Sequence, residues 1–353
     1  QLVAFSRKDA ADIAAYYDQV FDDIGEQPAS ELVGLANAIL AANIAADRFA
    51  ALVAAIGEAL WAGDGKALAT LAEEYGASDP DTAARAVEAG NQRRRKLGHY
   101  LAATFHYSGE WYWGIERLSY LEERLVELGL GDDSPPVVRR TAGEQRPVRA
   151  DGSELTLEFF ASLRSPYTAI SFERVRQLVD RYGIRLVLRP VLPMVMRGLP
   201  VPPAKSMYIL LDTKREAERA GIAFGHMADP VGRPVELGYS LFAWAREQGR
   251  ALEWLHEFAR GAFAEGIDMG SEAGLRRAAE RAGLSWDEAR TRLGNEDWRD
   301  EIEANRLAMT ELGLWGVPSF RLHGPSGTPD FVTWGQDRLW LIEERILERI
   351  AGA

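Results

Sequence analysis

Apolar residues recur at helical spacing through residues 32–40, 49–60 and 68–75, so residues 1 to about 96 are expected to be almost entirely helical. Asp79-Pro80-Asp81 reads as a helix start, because proline suits the first helical turn. Arg93-Arg-Arg-Lys96 reads as a solvated helix end, where cations suit the dipole. The period then changes. Residues 99–107 read as a strand, Ser108-Gly109 as a turn, Trp111 as the start of a second short strand, and about 115–128 as a helix. Residues 129–152 are rich in Gly, Pro and charge and read as a linker. Beyond it come a strand at 155–160, a helix from about 166 to 182 closed by Gly183, and an alternating strand at 184–189. A proline-rich loop at 190–203 leads to a long helical block at 204–312, with breaks expected at Gly221-Ile222, 229–234 and Gly283-Leu284. A turn at Pro318, a hairpin and a last helix at 337–350 follow, so the order is β-α-β, helical insertion, β-β-α.

Part of this pattern occurs twice. Leu97-Gly-His-Tyr-Leu-Ala-Ala-Thr-Phe-His-Tyr107 lies over Leu312-Gly-Leu-Trp-Gly-Val-Pro-Ser-Phe-Arg-Leu322, and Trp113-Gly-Ile-Glu-Arg-Leu118 over Trp334-Gly-Gln-Asp-Arg-Leu339. The helices that follow read Leu121-Glu-Glu-Arg-Leu125 and Ile342-Glu-Glu-Arg-Ile346. Two matched segments in the same order indicate an internal duplication. Ala103 stands where the second copy has Pro318. The domains expected are a degenerate, mostly helical partial copy at 1–128, the linker at 129–152, and a complete copy at 153–353. The first copy resembles the second only from Phe5 onward, so its leading βαβ unit is missing: either the unit is lost, which leaves a half-sheet with an open edge, or a segment preceding Gln1 completes it.

Composition narrows the chemistry. A chain of 353 residues suffices for two cores, and a formal net charge of −12 argues against a general nucleic-acid or anionic-membrane binder. There is no cysteine, which excludes disulfides, thiolate metal sites and a redox cycle on the protein's own sulfur. A cytoplasmic location fits this, and neither a signal peptide nor a membrane-spanning apolar run is visible. His99, His106, His226, His256 and His323 show no metal spacing, so no metal is expected; His106 and His323 read as surface residues at strand ends.

Two stretches carry candidate chemistry. In Gly313-Leu-Trp-Gly-Val-Pro-Ser-Phe320 the bond before Pro318 is expected to be cis, leaving the backbone of Val317 free to pair with an extended ligand. The loop after the first strand of the second copy reads Ala161-Ser-Leu-Arg-Ser-Pro-Tyr-Thr168. With Arg189-Pro190, Lys205 and Trp334-Gly-Gln-Asp-Arg338, these stretches resemble the DsbA-like branch of the thioredoxin superfamily, and within it the 2-hydroxychromene-2-carboxylate isomerases and kappa-class glutathione transferases.

The resemblance implies an α/β thioredoxin-like fold and a glutathione-dependent isomerase or transferase acting on a small molecule. Ser165 and Thr168 take the two places of the Cys-x-x-Cys loop of disulfide enzymes. Ser165 would hold the sulfur of glutathione, which serves as cosubstrate. Val317, beside Pro318, would pair with its cysteinyl backbone; Gln336 and Asp337 would meet its γ-glutamyl end, and Lys205 a carboxylate of glutathione or substrate. Arg164, Pro166, Tyr167 and Thr168 would support the loop; Arg164 departs from the family pattern, as does Met196-Arg-Gly-Leu-Pro200 ahead of Lys205. A pseudo-dimer within the chain or a homodimer would follow from related domains. The residues also allow blander roles: Ser165 as a helix N-cap, Asp337 as a cap of the last helix, and Arg117 and Arg338 as structural pairs. The rival function is a redox-inactive module that binds a peptide or protein along the Val317 edge, and the third is a disulfide-oxidoreductase relative lacking its cysteines.

Overall fold

The computed structural model describes residues 2–21, 25–45, 47–131, 138 and 151–352. The chain divides into two compact units, Ser6–Arg139 and Gln1–Phe5 with Arg140–Ala353. Most of the expected linker at 129–152 lies outside the described residues.

The sequence up to 96 folds as read, into helices α1 (Leu2–Ala14), α2 (Ser30–Asn43), α3 (Phe49–Trp61), α4 (Gly65–Tyr75) and α5 (Pro80–Lys96). The periodic apolar residues Ala36, Ile39, Leu52, Ile56 and Leu68 meet as the core of the Ser6–Arg139 unit. Asp79 caps α5 by accepting from the Thr82 N–H, with Pro80 in the first turn. The strand expected from 99 begins only at Thr104. Ahead of it Gly98 and Ala103 adopt φ of 90° and 53°, and the buried His99 ring accepts from the Leu101 N–H at 3.1 Å, so no extended ladder can form there. Strands β1 (Thr104–Tyr107) and β2 (Glu110–Trp113) then make an antiparallel hairpin. Ser108 and Gly109 both have positive φ, 48° and 89°, as a two-residue hairpin turn that matches strand twist requires. Helix α6 (Leu118–Glu127) closes this unit after a 3-10 turn at Ile115–Arg117.

The second unit has the α/β thioredoxin-like order. It begins with strand β3 (Thr156–Ala161), helices α7 (Pro166–Ala169) and α8 (Phe172–Tyr182), and strand β4 (Arg185–Pro190). The single helix expected at 166–182 is therefore two, broken at Ile170-Ser171, where the Ser171 hydroxyl donates to the Tyr167 carbonyl at 2.7 Å. The insertion comprises α9 (Pro203–Ala220), α10 (Arg233–Ser240), α11 (Phe242–Glu247), α12 (Ala251–Ala264), α13 (Glu272–Arg281), α14 (Trp286–Ala289) and α15 (Trp298–Glu311). Strands β5 (Ser319–His323) and β6 (Phe331–Trp334) and helix α16 (Leu339–Ala351) complete the unit.

The sheet order is β4-β3-β5-β6, with β3 and β4 parallel and β5 antiparallel to β3 and β6. Alternation sorts its faces. Leu157, Phe159, Leu186, Leu188, Phe320 and Leu322 share one face, where Phe159 stacks on Phe320 at 5.0 Å and meets Phe172 of α8 edge-on. The opposite face carries Phe160 at one end, packed with Val191, Met309 and Leu314, and charge at the other. There the Glu158 carboxylate takes Arg189 at 2.5 Å, His323 at 3.2 Å and Arg321 at 3.5 Å. His323 is thus not a free surface residue: its other ring nitrogen sits 3.2 Å from Asp330.

The two closing segments share local geometry as well as order. The Pro318 carbonyl accepts from the Gly335 N–H at 2.9 Å, and the Ala103 carbonyl from the Gly114 N–H at 3.2 Å. Gly313 and Gly98 each donate to the C-terminal turn of the preceding helix at 3.0 Å. Arg338 and Arg117 are both buried.

Candidate functional site

The site lies at one end of the sheet. The parallel strands β3 and β4 finish side by side at Ala161 and Pro190, and Ser319, which starts β5, pairs with Phe160 there. The loop carrying Ser165 leaves this end, where ligands of parallel sheets are commonly bound. Tyr239, buried on α10, holds two of the loops in register: its hydroxyl accepts from the Leu163 N–H at 3.2 Å and donates to the Val191 carbonyl at 2.9 Å. Burial pushes its own pKa up to about 12, so it remains a neutral donor.

Ser165 precedes α7. Its Oγ accepts from the Thr168 N–H at 3.2 Å, the N-cap bond, and donates to the Val317 carbonyl at 3.4 Å. The N-cap reading of Ser165 therefore holds, and the same hydroxyl faces the Pro318 segment. The Val317–Pro318 bond is cis, and so is Gly324–Pro325, which the sequence did not suggest. Gly316 lies so close to the Trp334 indole that a Cβ there would sit 2.7 Å from Nε1. Trp334 in turn packs on Trp315 at 4.9 Å.

The support residues separate. Arg164 forks onto Asp229, with both nitrogen–oxygen distances 2.7 Å. The Tyr167 hydroxyl donates to buried Asp212 of α9 at 2.7 Å. Thr168 is fully buried and its hydroxyl makes no hydrogen bond among the described residues. Lys205 occupies the first turn of α9. Gln336 is buried: its amide nitrogen donates to Glu216 at 2.7 Å and its carbonyl oxygen takes Arg174 of α8. Its side chain is thus committed to protein partners. Asp337 stands 3.8 Å from Arg338 and is partly exposed. Arg174, Asp212, Glu216, Asp229 and Tyr239 were not singled out from sequence, because lone polar residues on amphipathic helices and in loops carry no spacing signal.

The family of DSBA-like thioredoxin domains matches residues 156–347. The chain belongs to that family. This DSBA-like chain is 25% identical over 216 residues to Glutathione S-transferase kappa 1 of Rattus norvegicus, a match covering 56% of this chain and 92% of that protein. Among solved structures it is similar to a 2-hydroxychromene-2-carboxylate isomerase, with 20% identity, TM-score 0.45, and coverage of 55% of this chain and 95% of the other. It is also similar to the cytosolic disulfide reductase DsbM of Pseudomonas aeruginosa, with 19% identity, TM-score 0.44, and coverage of 56% and 100%. The DSBA-like unit here carries Ser165 and Thr168 in a chain without cysteine, so no protein thiol is available at this loop.

Proposed function

We propose that this chain is a glutathione-dependent isomerase or transferase in which the Ser165 hydroxyl stabilises the glutathione thiolate. The reading is carried by the placement of the Ser165 hydroxyl 3.4 Å from the Val317 carbonyl, in a thioredoxin-like site lacking cysteine. Similarity to a kappa glutathione transferase along most of that protein's length supports it.

A free thiol with a pKa of about 8.5 is mostly protonated at pH 7. A hydrogen bond to the thiolate favours the charged form and raises the nucleophile's population. In the ligand-bound state the Ser165 hydroxyl turns from the Val317 carbonyl to the sulfur. The Val317 backbone is then open to the cysteinyl backbone of the tripeptide, as an added strand would be. Because α7 spans only Pro166–Ala169, the helix dipole at Ser165 is that of one turn, and the hydroxyl is the main stabilising group. Asp337 is assigned to the ligand's free amine and Lys205 to a carboxylate. The thiolate adds to an electrophilic carbon. Its later expulsion after a change of geometry gives isomerisation, and loss of a different leaving group gives transfer.

Glutathione titration by calorimetry on wild type and Ser165→Ala tests this. The variant is expected to bind about 10-fold more weakly, the loss of one hydrogen bond to a charged group. Absence of binding at millimolar glutathione overturns the enzyme reading in favour of a redox-inactive module that binds a peptide along Val317.

We further infer that the Ser6–Arg139 unit is a partial copy without a site. Matching element order and the paired Ala103–Gly114 and Pro318–Gly335 bonds support this. One glutathione per chain is expected in the same titration; two would overturn it.

A further inference from the structure

Helix α7 spans only Pro166–Ala169. One turn of helix does not hold itself in water, since nucleation costs more than a single hydrogen bond returns. The position of Ser165 must therefore come from what anchors this turn. Among the described residues, two side-chain hydrogen bonds contribute to this. Ser171 donates to the Tyr167 carbonyl at 2.7 Å, from the break before α8. Asp212 accepts from the Tyr167 hydroxyl at 2.7 Å, from α9.

Asp212 is itself unusual. Its side chain is 1% exposed, and a carboxylate so buried is retained only when its oxygens are satisfied. Tyr167 takes Oδ2, while Tyr208 at 3.4 Å and Arg215 at 3.6 Å share Oδ1. Both of these belong to α9, one turn to either side of Asp212, so they fix the carboxylate on its helix. The carboxylate thus serves as a rigid post, and Tyr167 is the group that reaches it from the functional loop.

We propose that Asp212 is a positioning residue that acts through Tyr167 to hold the Ser165 hydroxyl in register with the Val317 carbonyl. The inference rests on the glutathione reading for its chemical consequence, but not for the anchor itself. A hydroxyl hydrogen bond depends steeply on distance and angle, so a loosened α7 lowers the stabilisation of a thiolate without removing any group that touches it.

Two measurements separate the anchor from its consequence. The first is amide hydrogen exchange of residues 165–171 in the whole chain without ligand, comparing wild type with Tyr167→Phe. Tyr167→Phe deletes one hydroxyl, keeps the ring and is expected to fold. Exchange is expected to speed up at least 10-fold in this segment while the strands β3 and β5 keep their protection. Unchanged exchange overturns the anchor. The second is the pH titration of bound glutathione, followed by thiolate absorbance. The bound thiol's pKa is expected to rise toward that of free glutathione in Tyr167→Phe and in Asp212→Ala, with Asp212→Asn, which keeps an acceptor for Tyr167, recovering part of the shift. A titration unchanged in all three variants overturns the positioning role. If wild type binds no glutathione yet Tyr167→Phe still speeds exchange, the enzyme reading fails and the anchor stands.

Discussion

At the scale of single residues, Ser165 and Gly316 show two ways in which a side chain, or its absence, defines the site. Ser165 matters for what its hydroxyl touches. Gly316 matters for what would be touched if it had a Cβ, since Trp334 Nε1 would lie at 2.7 Å and Cε2 at 3.0 Å. The indole is held by Trp315 and by partial burial against the Phe160 cluster, so it cannot withdraw freely. Gly316→Ala is therefore expected to destabilise this unit by about 1–3 kcal/mol in denaturant melts, the range for overpacking; a wild-type midpoint would show that the indole yields. His256 offers a titration. Burial holds its imidazole below the ordinary 6.5, so folding favours its neutral form. The unfolded chain binds the proton first, so stability from this group is full above 6.5 and is lost as pH falls toward the folded value. In melts taken across that range, His256→Gln is expected to remove part of the acid slope, and an unchanged slope would assign it to other groups.

At the scale of elements, periodicity was a good guide wherever one face is buried. Helices α2 to α4 follow it, their periodic apolar residues meeting in one core, whereas β3 is buried along its whole length and no alternation marks a face there. It failed where backbone dihedrals rather than burial decide. The start of β1 is delayed by Gly98 and Ala103 at positive φ, and α7 is cut from α8 by the Ser171 hydroxyl bond. The sheet's charged half depends on cross-strand contacts. Glu158 on β3 joins Arg189 on β4 to Arg321 and His323 on β5. Burial opposes its charge, but the hydrogen bonds and charges of Arg189 and His323 prevail and hold the carboxyl below its usual 4.5. This contribution is present above 4.5 and is lost as pH falls below it. Glu158→Gln is expected to cost about 1–3 kcal/mol at neutral pH, the partners' partial exposure keeping it below a fully buried pair. Its urea midpoint should also fall less steeply between pH 5 and 3 than that of wild type.

At the scale of the whole chain, each unit has its own core. Ala36, Ile39, Leu52, Ile56 and Leu68 serve one, and β3 to β6 with α8 and α16 the other. Leu68→Ala empties space in the first core and is expected to cost about 2–5 kcal/mol there, with hydrogen exchange rising first within α2 to α5. Faster exchange in β3 instead would show that the cores are not separate. No helix among the described residues is long and apolar enough to cross a membrane. The sequence alone determined most element types, the β-α-β, helical insertion, β-β-α order of the second unit and the lack of cysteine in this chain. These depend on local composition and on periods of two and 3.6 residues, which any window of the chain displays. The sequence also marked the Pro318 turn by its own signature, while the grouping of Ser165 with Val317-Pro318 came from the resemblance to DsbA-like proteins. Only the tertiary structure set the Ser165 hydroxyl against Val317, committed Gln336 to Arg174 and Glu216, and joined Tyr167 to Asp212. These pairs are distant in sequence and no spacing links them. Their contact exists because the elements that carry them pack together in the folded unit.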